Sequence, residues 1–172
     1  QLTVTIDDVS ESITALALQG PASRAILQQL SDTDLSGLKY FRLIASRLHG
    51  IPATISRTGY TGDFGFEIWT DAAHALPLWD ALIGAGTPYG ITPAGMLALD
   101  MARIEAGLML IDVDYVPARR ALIEGQTSSP FELDLGWAVS LGKEHFVGKN
   151  ALVLERQRGA QWQFVGLELD TE

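Results

Sequence analysis

Two β-rich runs joined by a two-residue turn place the strongest constraint on how this chain can fold. Residues 40–48 and 51–57 carry the β-branched and aromatic side chains typical of strands, and His49-Gly50 between them is typical of a hairpin turn. Pro52 has no backbone N–H to donate to a neighbour, so the second run is an edge strand or begins near this residue. This hairpin predicts an antiparallel sheet.

A strand-to-helix unit precedes the hairpin. Residues 13–18 form a short apolar run that predicts a buried strand, and Gly20-Pro21 gives it a sharp exit. Pro21 suits the first turn of a helix, because its missing N–H would have no partner there anyway. We expect that helix to reach Leu30.

Strict alternation of side chains returns after the hairpin, in residues 64–69. Phe66 and Ile68 face one side of this predicted strand, whereas Gly65, Glu67 and Trp69 face the other. Because Gly65 has no side chain, we expect the face beside Glu67 to be bare.

Two helices are predicted further along the chain. Asp71 is a suitable N-cap for a helix through Ile83, and Pro77 implies that this helix either kinks or starts later. Thr92 is predicted to cap the second helix, which ends near Gly107. This helix carries an apolar stripe at 4-3-4 spacing: Leu97, Met101, Ile104 and Leu108.

The order of elements, β, α, β, β, α, α with hairpin links, predicts an α+β fold with a mostly antiparallel sheet and helices packed on it. Two more strands are predicted at residues 135–139 and 162–169. The last strand either pairs backwards or leads into a C-terminal domain that the chain lacks, and we favour the second interpretation. We therefore expect one domain over residues 1–134 and trailing strands over 135–172.

Composition argues against several classes of function. The net charge is −9, with 12 basic against 21 acidic residues, so the surface repels nucleic acid and no such partner is expected. No apolar run reaches the roughly 18 residues of a membrane span, so no membrane partner is expected. The chain has no cysteine and three scattered histidines, which argues against a metal site and fits a reducing, cytoplasmic location.

Three residues are candidates for ligand binding, and each also has a plain structural interpretation. Glu67 can accept two N–H bonds from a flat amino-pyrimidine, or it is an ordinary solvated charge. Tyr60 lies in the glycine-punctuated loop 59–65, where it flanks such a heterocycle or packs on the sheet edge. Arg103, three residues after Asp100, meets an anionic group or forms a surface ion pair.

Four segments resemble, in order, motifs of one enzyme family. They read L-A-L-Q-G-P at 16–21, S-R-T-G-Y-T-G-D-F-G-F-E-I at 56–68, D-M-A-R-I-E-A-G at 100–107, and G-W at 136–137 followed by F-V-G-K at 146–149. The second resembles the R-x-G-Y-T-G-E-x-G-[FVY]-E-I signature of the glycine-cleavage T-protein family. The others resemble its strand-to-helix turn, its D-x-x-R-x-E-A-G helix end and its GW…F-x-G-K segment. The chain is therefore similar to an internal fragment of this family.

The resemblance implies a truncated T-protein folate-binding domain of ferredoxin-like type, with residues 135–172 leading into a missing C-terminal barrel. It implies tetrahydrofolate as cofactor and a small-molecule one-carbon donor, as in aminomethyltransferases or related demethylases. Glu67 would bind the pterin edge, Tyr60 would lie near the pocket, and Arg103 would line or brace it. A lipoyl carrier protein would be a further partner if the parent is a glycine-cleavage enzyme.

Two departures from the family pattern bear on the chemistry. The family's catalytic Asp lies well upstream of the L-A-L-Q-G-P turn, and Asp7, Asp8 and Glu11 are too close to that turn to match it. No catalytic residue is therefore assigned within this chain. Leu99 stands where the family carries a substrate-contacting arginine. The alternatives are a non-catalytic folate-binding or regulatory relative and a structural domain, and we expect the isolated chain to be inactive.

Overall fold

Four strands, four α-helices and five short 3₁₀ turns make up the regular structure of residues 3–168, the part of the 172-residue chain that this computed structural model describes. The strands are β1 (Ile13–Gln19), β2 (Leu43–Leu48), β3 (Ile51–Ser56) and β4 (Gly65–Asp71). The helices are α1 (Ser23–Leu30), α2 (Ala75–Gly86), α3 (Met96–Glu105) and α4 (Lys149–Arg158). The chain divides into two compact units, Gln1–Leu108 and Met109–Glu172.

The four strands of the first unit form one antiparallel sheet in the order β1-β4-β3-β2. The predicted hairpin joins β2 to β3, and its turn has the two positive φ angles of a type I′ turn, 51° at His49 and 80° at Gly50. β1 pairs with β4 along its whole length, so that Gln19 lies opposite Gly65. The predicted α+β fold with a mostly antiparallel sheet is confirmed.

One face of the sheet forms the core together with α1 and α2. Phe66 and Ile68 point to this face, as predicted, and both are fully buried. They share one apolar cluster with Leu27 of α1 and Leu78 of α2, which are also fully buried. Burying each of these side chains contributes about 1.5–3 kcal/mol of stability.

The opposite face of the sheet, called the open face below, remains accessible in the first unit. Trp69 is 45% exposed there, and Ala15 and Ala17 are exposed beside it. Strand pairing and alternation define the members of this face: Ala15, Ala17 and Gln19 of β1, Thr54 and Ser56 of β3, and Gly65, Glu67 and Trp69 of β4.

Asp71 acts as the predicted cap at the start of the second helical segment. Its carboxylate accepts the backbone N–H of Ala73 at 2.8 Å, in a short 3₁₀ turn (Ala72–His74) that leads into α2. Pro77 then falls in the first turn of α2, where a backbone N–H has no helical partner to lose. Of the two predicted outcomes, the later start is the one observed.

Helix α3 starts later than predicted, and its predicted apolar stripe is largely exposed. It begins at Met96 with Gly95 as N-cap, and the Thr92 hydroxyl instead bonds the Gly90 carbonyl at 3.4 Å. The stripe faces outwards, since Leu97 is 81% and Met101 is 65% exposed. Helical spacing identified the stripe correctly but carries no information about what covers it.

The predicted end of α3 is confirmed. Gly107 has φ 70°, its N–H bonds the carbonyl of Ile104 at 2.9 Å, and the N–H of Leu108 bonds the carbonyl of Arg103 at 2.8 Å. These two bonds form a Schellman motif, which satisfies the last carbonyls of the helix and favours glycine at the left-handed position.

Two strands predicted in the second unit are wrong. The segment at 135–139 contains a 3₁₀ turn (Gly136–Ala138), because its N–H groups bond locally, Ala138 to Leu135 at 2.9 Å and Val139 to Gly136 at 3.1 Å. Residues 162–168 form no strand, and Leu169 lies outside the described residues. The predicted domain boundary at 134/135 remains a prediction. Across residues 3–168, no helix has both the length and the apolar character needed to cross a membrane.

Candidate functional site

The loop that joins β3 to β4 is anchored at both ends. Its first residue, Arg57, donates from Nη1 to the Gly65 carbonyl at 3.0 Å and places its guanidinium 3.6 Å from the centre of the Phe64 ring. The Phe64 carbonyl accepts the backbone N–H of Gly20 at 2.7 Å. A cation over an aromatic face and a backbone bond to the β1–α1 turn together hold the loop closed.

Gln19 ties this loop to the sheet through its carboxamide. Nε2 donates to the carbonyls of Thr58 at 3.3 Å and Phe66 at 3.1 Å, and Oε1 accepts from the hydroxyl of Thr61 at 3.3 Å. One side chain thus bridges three points that lie 39–47 residues away along the chain. Each bond contributes about 1 kcal/mol net of the bonds to water that its partners give up on folding.

The carboxamide of Gln19 also overturns the expectation of a bare surface beside Glu67. A Cβ placed on Gly65 would lie 2.3 Å from Oε1 of Gln19, and one placed on Gly59 would lie 2.0 Å from the same atom. Both glycines therefore make room for a side chain of the neighbouring strand. The pattern within one strand could not show this, because the side chain that fills the space comes from β1.

Glu67 lies on the open face and is half-buried, as the alternation predicts. The Thr58 hydroxyl donates to its Oε2, and the Ser56 and Thr58 hydroxyls lie 2.6 Å apart. Glu67 pairs across the sheet with Ala17 on one side and Ser56 on the other. The carboxylate thus stands among small side chains and is held from one side by a hydroxyl.

The tip of the loop meets the end of α3. A Cβ on Gly62 would lie 2.4 Å from the Cβ of Ala106, so only a glycine allows this close approach. Tyr60 is half-buried within the same loop. It lies between Gly59, which approaches the Gln19 side chain, and Gly62, which approaches Ala106. Three of the four sequence motifs therefore meet around the loop that carries Tyr60.

Arg103 is buried rather than exposed. Its side chain is 3% exposed, it bonds the Asp100 carboxylate at 2.7 Å through both Nε and Nη2, and Nη1 donates to the Leu108 carbonyl at 3.3 Å. The predicted ion pair with Asp100 forms, but half of it is buried, so it is not the surface pair of the plain interpretation. These bonds brace the end of α3 against the residue that follows it.

The open face around Glu67 suits one edge of a flat polar ring. Its cross-strand partners Ala17 and Ser56 are small, so they leave a shallow floor that ends at Trp69, the next residue of β4 on this face. The carboxylate supplies acceptors for paired N–H donors. Within the described part of the chain, no group of three or more His, Asp or Glu side chains comes together in a way that could hold a metal ion.

Sequence reasoning missed two residues of this arrangement, Gln19 and Thr58. Gln19 lies in the motif at 16–21 and Thr58 in the motif at 56–68, but the sequence predicted no contact for either side chain. The spacing of Gly59 and Gly65 signalled a close approach of backbone to some other group, which is a general meaning of glycine near a strand. The identity of that group depends on strand order, which the local pattern does not encode.

Comparisons with known proteins agree with this architecture. The family model described as GCVT N-terminal domain matches residues 1–143. An aminomethyltransferase of Caldanaerobacter subterraneus subsp. tengcongensis is 40% identical over 167 residues, which cover 96% of this chain and 42% of the relative. One from Lysinibacillus sphaericus is 38% identical over 170 residues, covering 98% of this chain and 44% of the relative.

A solved structure supports the same likeness. The glycine cleavage system aminomethyltransferase T from Bartonella henselae matches with a TM-score of 0.68 and 30% identity, over 86% of this chain and 37% of that one. The chain thus spans less than half the length of these curated and solved relatives.

Proposed function

This chain belongs to the GCVT N-terminal domain family, and from that premise we propose that its parent protein transfers a one-carbon unit to tetrahydrofolate, with Glu67 as the anchor of the pterin ring. The observation that carries the proposal is the Glu67 carboxylate, which is half-buried, flanked across the sheet by the small side chains of Ala17 and Ser56, and held by Thr58. The aminomethyltransferase relatives support the reaction class. We further propose that the one-carbon donor is a small molecule and that the protein is cytoplasmic. A lipoyl carrier protein is a further partner if the parent is a glycine-cleavage enzyme.

The carboxylate fits the pterin for chemical reasons. The amino-pyrimidine edge of a pterin presents adjacent N–H donors, and a carboxylate accepts two parallel N–H bonds with both oxygens. The loop that carries Tyr60 contacts Gln19 at Gly59 and Ala106 at Gly62. We propose that the aromatic ring of Tyr60 lies beside the pterin ring. Arg103 has an indirect role, because it braces the helix end against which the Tyr60 loop packs.

The chemistry of such a site is mostly positioning. Bound tetrahydrofolate supplies the nitrogen that accepts the one-carbon unit, and the residues of this chain hold the ring in a fixed orientation so that the acceptor meets the donor carbon. The carboxylate that stabilises developing positive charge is assigned to a part of the full-length protein outside this chain. Residues 1–172 therefore provide the pterin side of the site.

Calorimetric titration with 5-formyltetrahydrofolate, a stable reduced folate, tests the proposal on the full-length protein. Glu67→Gln keeps the shape of the side chain but removes its charge and one acceptor, so we expect Kd to rise about tenfold or more. Glu11→Gln, at an exposed position, is the matched control and should bind as the unchanged protein does. A Glu67→Gln protein that binds with unchanged Kd would remove the basis of the proposal.

Leu99 favours a second candidate function within the same family. An isobutyl group in place of the family's substrate-contacting arginine cannot hold an anionic donor group. A demethylase with another donor, or a folate-binding protein without transferase activity, would accommodate this residue. Assays of the full-length protein with aminomethyl and N-methyl donors separate the cases: folate binding without transfer from any donor supports the non-catalytic function.

A further inference from the structure

The Glu67 carboxylate is the end of a row of three polar side chains, two on the open face (Ser56 and Glu67) and one, Thr58, in the loop beside it. The Ser56 hydroxyl lies 2.6 Å from the Thr58 hydroxyl, and the Thr58 hydroxyl donates to Oε2 of Glu67. Ser56 and Glu67 are partners across β3 and β4, and Thr58 lies two residues beyond Ser56, just past the end of β3. The row therefore links the β3–β4 loop directly to the proposed anchor.

The direction of the hydrogen bonds in this row follows from the number of protons. An ionised carboxylate has acceptors and no donor, and a threonine hydroxyl has one proton to give. The Ser56 hydroxyl has two possible acceptors, Oγ1 of Thr58 at 2.6 Å and the Glu67 carbonyl at 3.4 Å. Since Thr58 gives its proton to Glu67, the shorter contact between the two hydroxyls requires Ser56 to donate to Oγ1 of Thr58. The order is Ser56 to Thr58 to Glu67, and each link makes the next hydroxyl a better donor.

The backbone of Thr58 is fixed independently of its side chain. Its carbonyl accepts from Nε2 of Gln19 at 3.3 Å, and the residue before it, Arg57, is held by bonds from its backbone N–H to the Arg42 carbonyl at 2.9 Å and from its guanidinium to Gly65 at 3.0 Å. The hydroxyl thus approaches Glu67 from a rigid position. A rigid donor selects one rotamer of a flexible acid side chain.

We propose that Thr58 is a positioning residue, which fixes the Glu67 carboxylate in the orientation that receives the amino-pyrimidine edge of a reduced folate. This inference rests on the proposed function of Glu67. Thr58 occupies one of about four lone-pair positions of the carboxylate, so acceptors on both oxygens stay available for the ligand. Fixing the rotamer before binding lowers the entropic cost of immobilising the side chain when the ligand arrives.

Two substitutions separate the hydroxyl from the shape of the side chain. In the full-length protein, Thr58→Val keeps the β-branch and removes the hydroxyl, and we expect the Kd for 5-formyltetrahydrofolate to rise roughly tenfold. Thr58→Ser keeps the hydroxyl and should bind within about twofold of the unchanged protein. If Thr58→Val binds like Thr58→Ser while Glu67→Gln still binds weakly, the inference is wrong and the proposed function stands.

A double-mutant cycle tests whether Thr58 acts through Glu67. In a Glu67→Ala background, Thr58→Val should change Kd by less than about twofold, because no side-chain acceptor remains for the Thr58 hydroxyl to orient. An undiminished tenfold effect in that background would show a general structural role and overturn the inference. Unchanged binding by Glu67→Gln itself would overturn the proposed function, and this inference with it.

Ser56→Ala provides a second variant should Thr58→Val fail to fold. It removes the donor to Thr58 and leaves the Thr58–Glu67 bond possible, so we expect a smaller rise in Kd, about threefold, that disappears in the Glu67→Ala background. Ser36→Ala, at an exposed hydroxyl on a different loop, is the matched control and should leave Kd unchanged. A Ser56→Ala protein with wild-type Kd would contradict the ordered row.

Discussion

The carboxamide of Gln19 joins β1 to the β3–β4 loop and to the start of β4. Gly59 and Gly65 lie so close to this carboxamide that a Cβ at either position would collide with it. Gly65 has an ordinary β-strand φ, so an alanine there would not strain the backbone. Its Cβ would nevertheless lie 2.3–2.6 Å from three atoms of the Gln19 carboxamide. The carboxamide can move away only by giving up its bonds to Thr58, Phe66 and Thr61.

Gly65→Ala is therefore expected to lower the free energy of unfolding by about 2–3 kcal/mol, the cost of leaving buried carbonyls without donors. Urea denaturation measures the change. In a Gln19→Ala background the same substitution should cost less than about 1 kcal/mol, because the obstructing side chain is gone. Equal costs in both backgrounds would mean that Gln19 is not the obstacle.

Gly84→Ala is the matched control for that experiment. Gly84 is exposed within α2, and a Cβ there would meet nothing within 4 Å. Alanine should stabilise the helix by about 0.5–1 kcal/mol, since it loses less conformational entropy on folding than glycine does. The two glycine substitutions are thus expected to change stability in opposite directions.

The sequence predicted the position of a side chain where that position depends on a single strand. The alternation of side chains along β4 predicted that Glu67 lies on one face of the sheet and that Phe66 and Ile68 lie on the other. The structure confirms this arrangement. The contacts of Gln19 and Thr58 were not predictable, because they depend on β1 lying beside β4 and on the loop folding back over β1. The roles of Glu67, Tyr60 and Arg103 toward a ligand remain predictions.

At the scale of elements, the β2–β3 hairpin has a turn in which Gly50 has φ 80° and a Cβ would meet nothing within 4 Å. Gly50→Ala should therefore cost about 1–2 kcal/mol of unfolding free energy, and the cost comes from backbone conformation alone. His49→Asn should stabilise the hairpin slightly, because asparagine tolerates the left-handed region better. Thermal denaturation of both variants checks this, and an unchanged midpoint for Gly50→Ala would contradict it.

Elements were predicted well where a local signal encodes them and poorly where tertiary contacts decide. The hairpin turn, the Asp71 cap and the Gly107 stop are local, and all three are confirmed. The predicted start of α3 was wrong because Thr92 resembles a helix cap but precedes a stretch without helical bonds. The strand at 135–139 was wrong because a short apolar run forms a strand only when a partner strand is available.

At the scale of the whole molecule, the buried apolar cluster lies entirely between Leu18 and Leu82, within the first compact unit. The second unit is held mainly by local turns and by bonds such as those from Ser129 to Glu155 and from Phe164 to the Glu132 carbonyl. A unit of this size has to bury much apolar surface to offset its conformational entropy. Most of its large apolar side chains are instead exposed, Trp137 by 78% and Val147 by 98%.

Residues 1–108 and 109–172, expressed separately, should therefore behave differently. We expect the first to unfold cooperatively on heating, because it contains the whole sheet and its apolar cluster. We expect the second to show no cooperative transition, because it lacks a comparable core among its described residues. Circular dichroism melting and the dispersion of amide proton signals measure both. A cooperative melt of residues 109–172 alone would show that its turns and side-chain bonds suffice without a large buried cluster.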